Sequence, residues 1–188
     1  MEHMFDLRLL GPESLRPLKR SEYDRLVDLG AFEGERVELL YGLLVRMSPI
    51  GPPHMVAVAA LHEILVLALH GRAKIHSQSS YSAGESRPEP DLAVLALADY
   101  RRAIPEQALL LVEVADSSLK TDREVKGPLY ARSNVLEYWI VDVEGAAIEV
   151  YREPDESGYR TVRRYGAGEA VSLLAFPEVS VRVSDVIS

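Results

Sequence analysis

The sequence predicts an α/β fold of mixed (α+β) type, a central mixed β-sheet flanked by helices, with an N-terminal hairpin and a β-rich C-terminal tail. Three observations carry that prediction. The runs 91–97 and 108–115 are apolar on both faces, as strands in the middle of a sheet are. Residues 116–132 are charge-rich and read as a helix, followed by another buried strand at 136–142. That order makes the helix a crossover to a parallel strand, in a sheet whose earlier strands run antiparallel.

Taken in order, Ser21 followed by Asp24 resembles a capping box, and Leu26 with Leu29 before Gly30 completes a short helix. A hairpin of 37–40 and 43–47 follows around Tyr41-Gly42, where Gly42 accepts positive φ. Pro49, Gly51, Pro52 and Pro53 break the pattern. From Met55 to Leu69 the chain is apolar on nearly every side, which predicts a helix buried against the sheet. His62 and Glu63 interrupt this run, so it falls short of the roughly 18 apolar residues of a membrane span. Strands are expected at 74–80, 91–97 and 108–115, with Pro88, Pro90 and Pro105 in the loops. In the helix of 116–132, Ser117 or Ser118 is the expected N-cap. Pro128 should kink it, because its ring meets the carbonyl of Glu124. Glu144-Gly145 turns the strand 136–142 into 146–152. The segments 159–165, 170–174 and 179–183 read as short peripheral strands.

The chain has 188 residues, a net charge of −8 and no cysteine. This suits one soluble domain spanning 1–188, excludes thiol chemistry and fits a reducing, cytoplasmic setting. Residues 1–10 lack the basic flank and cleavage site of a secretory signal. The acidic balance argues against a broad cationic surface for nucleic acid, though not against a local groove. No phosphate-binding glycine loop or serine-hydrolase elbow is present.

Chemistry points first to Glu113, which sits in LLLVEVA with apolar neighbours on both faces. A buried carboxylate needs a partner, either an arginine or a cation. Asp91 opens the preceding strand, and if the two strands pair antiparallel, Asp91 comes beside Glu113. Two opposed carboxylates of this kind suit Mg²⁺ or Mn²⁺. Lys126 lies on the following helix, either as a salt-bridge partner of Asp122 at i, i+4 or as a third member of the site. Glu38, in an otherwise apolar strand, is a fourth candidate. Tyr130 reads as a packing residue, and the histidines, with His54, His62 and His70 eight apart, do not have zinc-ligand spacing.

Pro90-Asp91, Glu113-Val114-Ala115 and the helical lysine together resemble the PD-(D/E)XK nuclease superfamily. Ala115 stands where that motif has its lysine, and Asp122-Arg-Glu-Val-Lys126 resembles the branches in which the lysine has moved to the next helix. More closely, the chain is similar to a bacterial family of small restriction-endonuclease-like proteins. That similarity runs through Glu38-Leu39-Leu40-Tyr41-Gly42, His54, Pro90-Asp91, Val112-Glu113-Val114, Asp122 with Lys126, Tyr130 and Glu137-Tyr138-Trp139-Ile140-Val141-Asp142.

The resemblance implies a restriction-endonuclease-like core and a Mg²⁺-dependent endonuclease acting on DNA. Asp91 and Glu113 would be metal ligands, with Glu38 and the Val114 carbonyl as further candidates, and Lys126 would orient or help deprotonate the attacking water. The alternatives are an inactive fold serving as a nucleic-acid-binding or interaction module, and a structural domain whose carboxylates pair with arginines. Cutting both strands would need two sites, so a homodimer or higher oligomer is expected. The concentrated basic spots, Arg101-Arg102 and Arg160 with Arg163-Arg164, read as solvated surface.

Overall fold

The computed structural model describes residues 14–187. It opens with helix α1 (Arg20–Asp28), hairpin β1 (Val37–Leu40) and β2 (Leu43–Arg46), and helix α2 (Pro52–Ala68). Six strands follow: β3 (Lys74–Ser77), β4 (Leu92–Leu95), β5 (Leu110–Ala115), β6 (Glu137–Asp142), β7 (Ala147–Asp155) and β8 (Gly158–Gly166). They form one sheet in that spatial order, parallel between β5 and β6 and antiparallel elsewhere. The crossover between β5 and β6 is α3 (Leu119–Thr121), a π-helical turn (Asp122–Lys126) and α4 (Gly127–Arg132). A small hairpin, β9 (Ala170–Ser172) and β10 (Ser180–Arg182), completes the chain.

Strand alternation sorts the core into two layers. Leu92, Val94, Leu110, Val112, Val114, Trp139 and Val141 face α2 and the β9–β10 hairpin. Ala93, Leu95, Leu111, Ala115, Tyr138 and Ile140 face the β1–β2 hairpin and α4. By the same parity, Asp91 and Glu113 belong to the second face.

Several expectations need correction. Helix α1 is capped at Lys19, whose N–H donates to Glu22 at 3.0 Å, so Ser21 already lies inside the first turn. Pro52 and Pro53 open α2 instead of breaking the chain, since the first-turn N–H groups have no helical partner to lose. Only one stripe of α2 is buried, His54, Ala57, Leu61 and Leu65, while Met55, Val56 and Leu67 are exposed. The segment 159–165 is peripheral but not short or separate: β8 is a nine-residue edge strand of the main sheet. The Tyr41-Gly42 turn is as expected, with φ of 50° and 80°.

Pro128 acts differently from a simple kink. A proline at this point has no N–H for the carbonyl of Glu124, and the helix answers with a π-turn in which Gly127 N–H bonds the carbonyl of Asp122. The turn carries both Asp122 and Lys126 inward, and both are buried.

Candidate active site

The antiparallel register Leu92↔Val112 sets the start of β4 beside the end of β5. Asp91 consequently accepts a hydrogen bond on Oδ2 from Val114 N–H at 2.8 Å. One residue earlier on β5, Glu113 turns toward the crossover helix. There Lys126 Nζ lies 3.1 Å from Glu113 Oε1 and 3.2 Å from Glu38 Oε2. Glu38 projects from β1, and its Oε2 also accepts from Glu89 N–H at 3.2 Å. Asp91, Glu113, Lys126 and Glu38 therefore line one cleft.

Ala115 explains how the lysine reaches the site. It is 1% exposed and packs in the layer that holds Leu119, Val125, Leu129 and Tyr130, so its small side chain lets the crossover helix approach. A lysine at 115 would occupy the space that this helix fills. Lys126 does not pair with Asp122: Asp122 accepts from the Ser118 hydroxyl at 2.5 Å, and the i, i+4 contact on this helix is Lys120 with Glu124 at 3.9 Å. Nor does an arginine neutralise Glu113, whose partners are Lys126 and Tyr130.

Two residues were undervalued by sequence reasoning. Tyr130 packs fully buried, yet its hydroxyl also donates to Glu113 Oε1 at 2.7 Å. His54 Nε2 lies 3.1 Å from the Asp91 carboxylate, reaching over the strand end from the first turn of α2. The signal for His54 was present in the spacing: 54, 57, 61 and 65 share one helical stripe, the buried one.

With this geometry in view, the relationships of the chain are clear. The fold matches a crystal structure described as "a putative nuclease belonging to DUF820 from Anabaena variabilis ATCC 29413", with a TM-score of 0.75 and 14% identity over 90% of this chain and 97% of that one. A family model described as "Uma2: Putative restriction endonuclease" matches residues 20–184. The chain belongs to the Uma2 family. No curated protein matches it. Membership places the chain among nuclease-like proteins, whose substrate class is nucleic acid. Among the described residues, no helix is long and apolar enough to cross a membrane.

Electrostatics give this Uma2 site its chemical character. Glu38, Glu113 and Asp122 act on one ammonium, Asp91 acts on Glu113, and all five groups are buried. Burial, reinforced by Asp122, Asp91 and Glu38, pushes the Glu113 carboxyl well above the ordinary carboxylate range despite Lys126. Asp122 is pushed up to about 6, again chiefly by burial. Burial alone would lower Lys126, but Glu113, Glu38 and Asp122 outweigh it and raise the ammonium above its usual range. All three shifts have one sign: burial chiefly holds protons on the two carboxyls, and the surrounding carboxylates hold the proton on Lys126.

Both donors to Glu113, Lys126 and Tyr130, converge on Oε1. A hard divalent ion fits this donor set: carboxylate oxygens in excess of cations, at the mouth of a sheet. Among the described residues, no three carboxylate or imidazole groups form a ready-made ligand shell, so water and backbone oxygens would complete the coordination.

Proposed function

We propose that this chain is a Mg²⁺- or Mn²⁺-dependent endonuclease that hydrolyses phosphodiester bonds of DNA. The observation that carries the reading is the convergence of Asp91, Glu113 and Lys126 in one cleft, with the two acidic strand ends joined through Val114 N–H. In this reading Asp91 and Glu113 would hold the ion, with Glu38, whose Oε2 anchors Lys126, as a further ligand. When bound, the ion would lower the pKa of water and neutralise charge on the leaving oxygen.

Hydrolysis joins a water oxygen to phosphorus and breaks the bond from phosphorus to the leaving sugar oxygen; the water loses a proton and the leaving oxygen gains one. Lys126 holds its own proton tightly, which favours orienting the water and balancing phosphoryl charge over acting as the base. His54 and Val114 N–H fix Asp91, and Tyr130 fixes Glu113, so neither carboxylate has to reorganise during the reaction. The proposal also takes the protein as a homodimer or higher oligomer, supported by the apolar residues exposed on α2.

A supercoiled-plasmid assay with and without Mg²⁺ tests the reading. Metal-dependent conversion to nicked or linear DNA is expected. Absent conversion with DNA binding retained would instead make the protein a nuclease-like binding module, and metal-independent conversion would overturn the role given to the ion.

A further inference from the structure

A polyanion entering an acidic cleft on a protein of net charge −8 needs cations at the rim. The basic runs conspicuous in the sequence do not supply them: none of their arginines lines the cleft, and all but Arg102 are paired. Arg101 pairs with Asp99 at 2.7 Å, Arg160 with Asp155 at 3.9 Å, Arg163 with Glu169 at 3.2 Å, and Arg164 with both Asp142 and Glu149 at 2.8 Å. Arg36 and Arg46 differ. Among the described residues neither has a carboxylate within ion-pair distance, although Glu89 feels the Arg36 charge. Both are exposed, and both line the cleft that holds Lys126.

Ten positions separate these arginines in sequence, and the hairpin removes that separation. Arg46 lies opposite Val37, and Met47 N–H bonds the carbonyl of Arg36 at 2.9 Å. Arg36 stands just before β1, in phase with Glu38, whereas Arg46 pairs with Val37, so the two arginine stems leave the open end of the hairpin from opposite faces and both border the cleft. Across the cleft the rim carries the hydroxyls of Ser117 and Thr121. The section through the groove is thus an arginine lip, an acidic floor with one lysine, and a hydroxyl lip. Guanidinium and hydroxyl groups are the usual phosphate-oxygen donors of proteins that hold a nucleic-acid backbone.

We propose that Arg36 and Arg46 form a backbone clamp, each gripping one phosphate beside the scissile one and together setting the strand over the acidic floor. The clamp rests on the nuclease reading and adds where the substrate is held. It is sequence-independent, because it engages phosphate and no base edge.

The test is fluorescence anisotropy with a fluorescein-labelled 20-base-pair DNA in Ca²⁺ buffer, the DNA being checked intact on a gel, across a salt series. Arg36→Gln combined with Arg46→Gln should weaken binding about tenfold and flatten the log–log salt slope by about two, near one per lost phosphate contact. Arg36→Lys with Arg46→Lys should retain the slope, and Arg101→Gln, on a paired and exposed arginine, should change neither quantity. Mn²⁺ affinity should be the same in every variant. Wild-type slope and affinity in the double glutamine variant would overturn the clamp alone. Failure of the unaltered protein to bind DNA at any salt would remove the nuclease reading and the clamp with it.

Discussion

Glu113 in β5 and Glu137 in β6 are buried glutamates on neighbouring strands of one sheet, and they are held in opposite ways. Glu137 is wholly enclosed on the α2 face and is saturated: Arg152 donates from Nε at 2.9 Å and Nη2 at 2.5 Å, Trp139 from Nε1 at 3.1 Å, and Leu174 from its N–H at 2.7 Å. It ties the C-terminal segment to the sheet. Glu113, on the other face, has one ammonium and one phenol on a single oxygen, and Asp91, Glu38 and Asp122 around it. The same residue type, equally buried, is a structural anchor where donors saturate it and a candidate ligand where carboxylates crowd it.

This contrast is sharpest in what neutralising each glutamate does. Glu113→Gln, like Asp91→Asn, should abolish Mn²⁺ binding and plasmid cleavage, yet leave the melting temperature in metal-free buffer equal or higher, because a repulsive charge is removed. Glu137→Gln should leave metal affinity intact and destabilise by about 2–3 kcal/mol, through loss of a buried charge-assisted set. Calorimetry of both variants in EDTA, with Mn²⁺ titration alongside, checks the pair. Equal destabilisation would show that Glu113 is as structural as Glu137.

Lys126→Ala comes next in size. If the ammonium acts on the transition state, cleavage at saturating metal should fall by about 10²–10³-fold, over and above what loss of a donor on Glu113 Oε1 does to metal affinity. Single-turnover cleavage at saturating metal checks this, and an unchanged rate would leave Lys126 with only the task of holding Glu38 and Glu113 together.

How much of this was legible in the sequence follows from what local patterns report. Two-sided apolar runs marked the central strands, whose antiparallel pairing sets Asp91 beside Glu113, and the hairpin turn was fixed by Tyr41-Gly42. The two-sided apolarity of α2 hid its buried stripe, since valine and leucine recur on both faces, and with it the reach of His54 to Asp91. Of the two partners open to Glu113, arginine or cation, the arginine belongs to Glu137 instead; a single sequence shows that a buried acid needs a partner, and the topology chooses which. Glu38 could not be separated from a solvent-facing hairpin residue, because its burial depends on the crossover helix packing over it.

Asp122 gives a smaller, pH-dependent version of the contrast. Its carboxyl is held at about 6 in the fold, above the ordinary 3.8. The folded protein therefore keeps a proton that the unfolded chain releases between about pH 4 and pH 6. Stability contributed by this group falls as pH rises through that window, and the cost is complete above it. Two units correspond to roughly 3 kcal/mol at most. Asp122→Asn, which can still accept from Ser118, should raise the melting temperature at pH 8 and leave it unchanged at pH 4. A pH-independent shift would place the effect in packing.

The smallest effect compares the aromatic donors. Tyr130 gives its hydroxyl to Glu113, and Trp139 gives its indole N–H to Glu137. Removing the phenol in Tyr130→Phe preserves the ring, which packs edge-on against Tyr138 with centroids 5.0 Å apart, so the core should survive with little loss of stability. What changes is the aim of Glu113. With only Lys126 left on Oε1, the carboxylate can rotate, and metal affinity should drop about tenfold, the scale seen when a group supporting a ligand is removed. Trp139→Phe takes a donor from a carboxylate that has three others and faces away from the cleft, so it should lower the melting temperature without touching Mn²⁺ affinity. Isothermal titration with Mn²⁺ on the two variants separates the cases. If Tyr130→Phe binds metal as tightly as the unaltered protein, the lysine alone sets the carboxylate, and the phenol belongs with Trp139 among the structural donors.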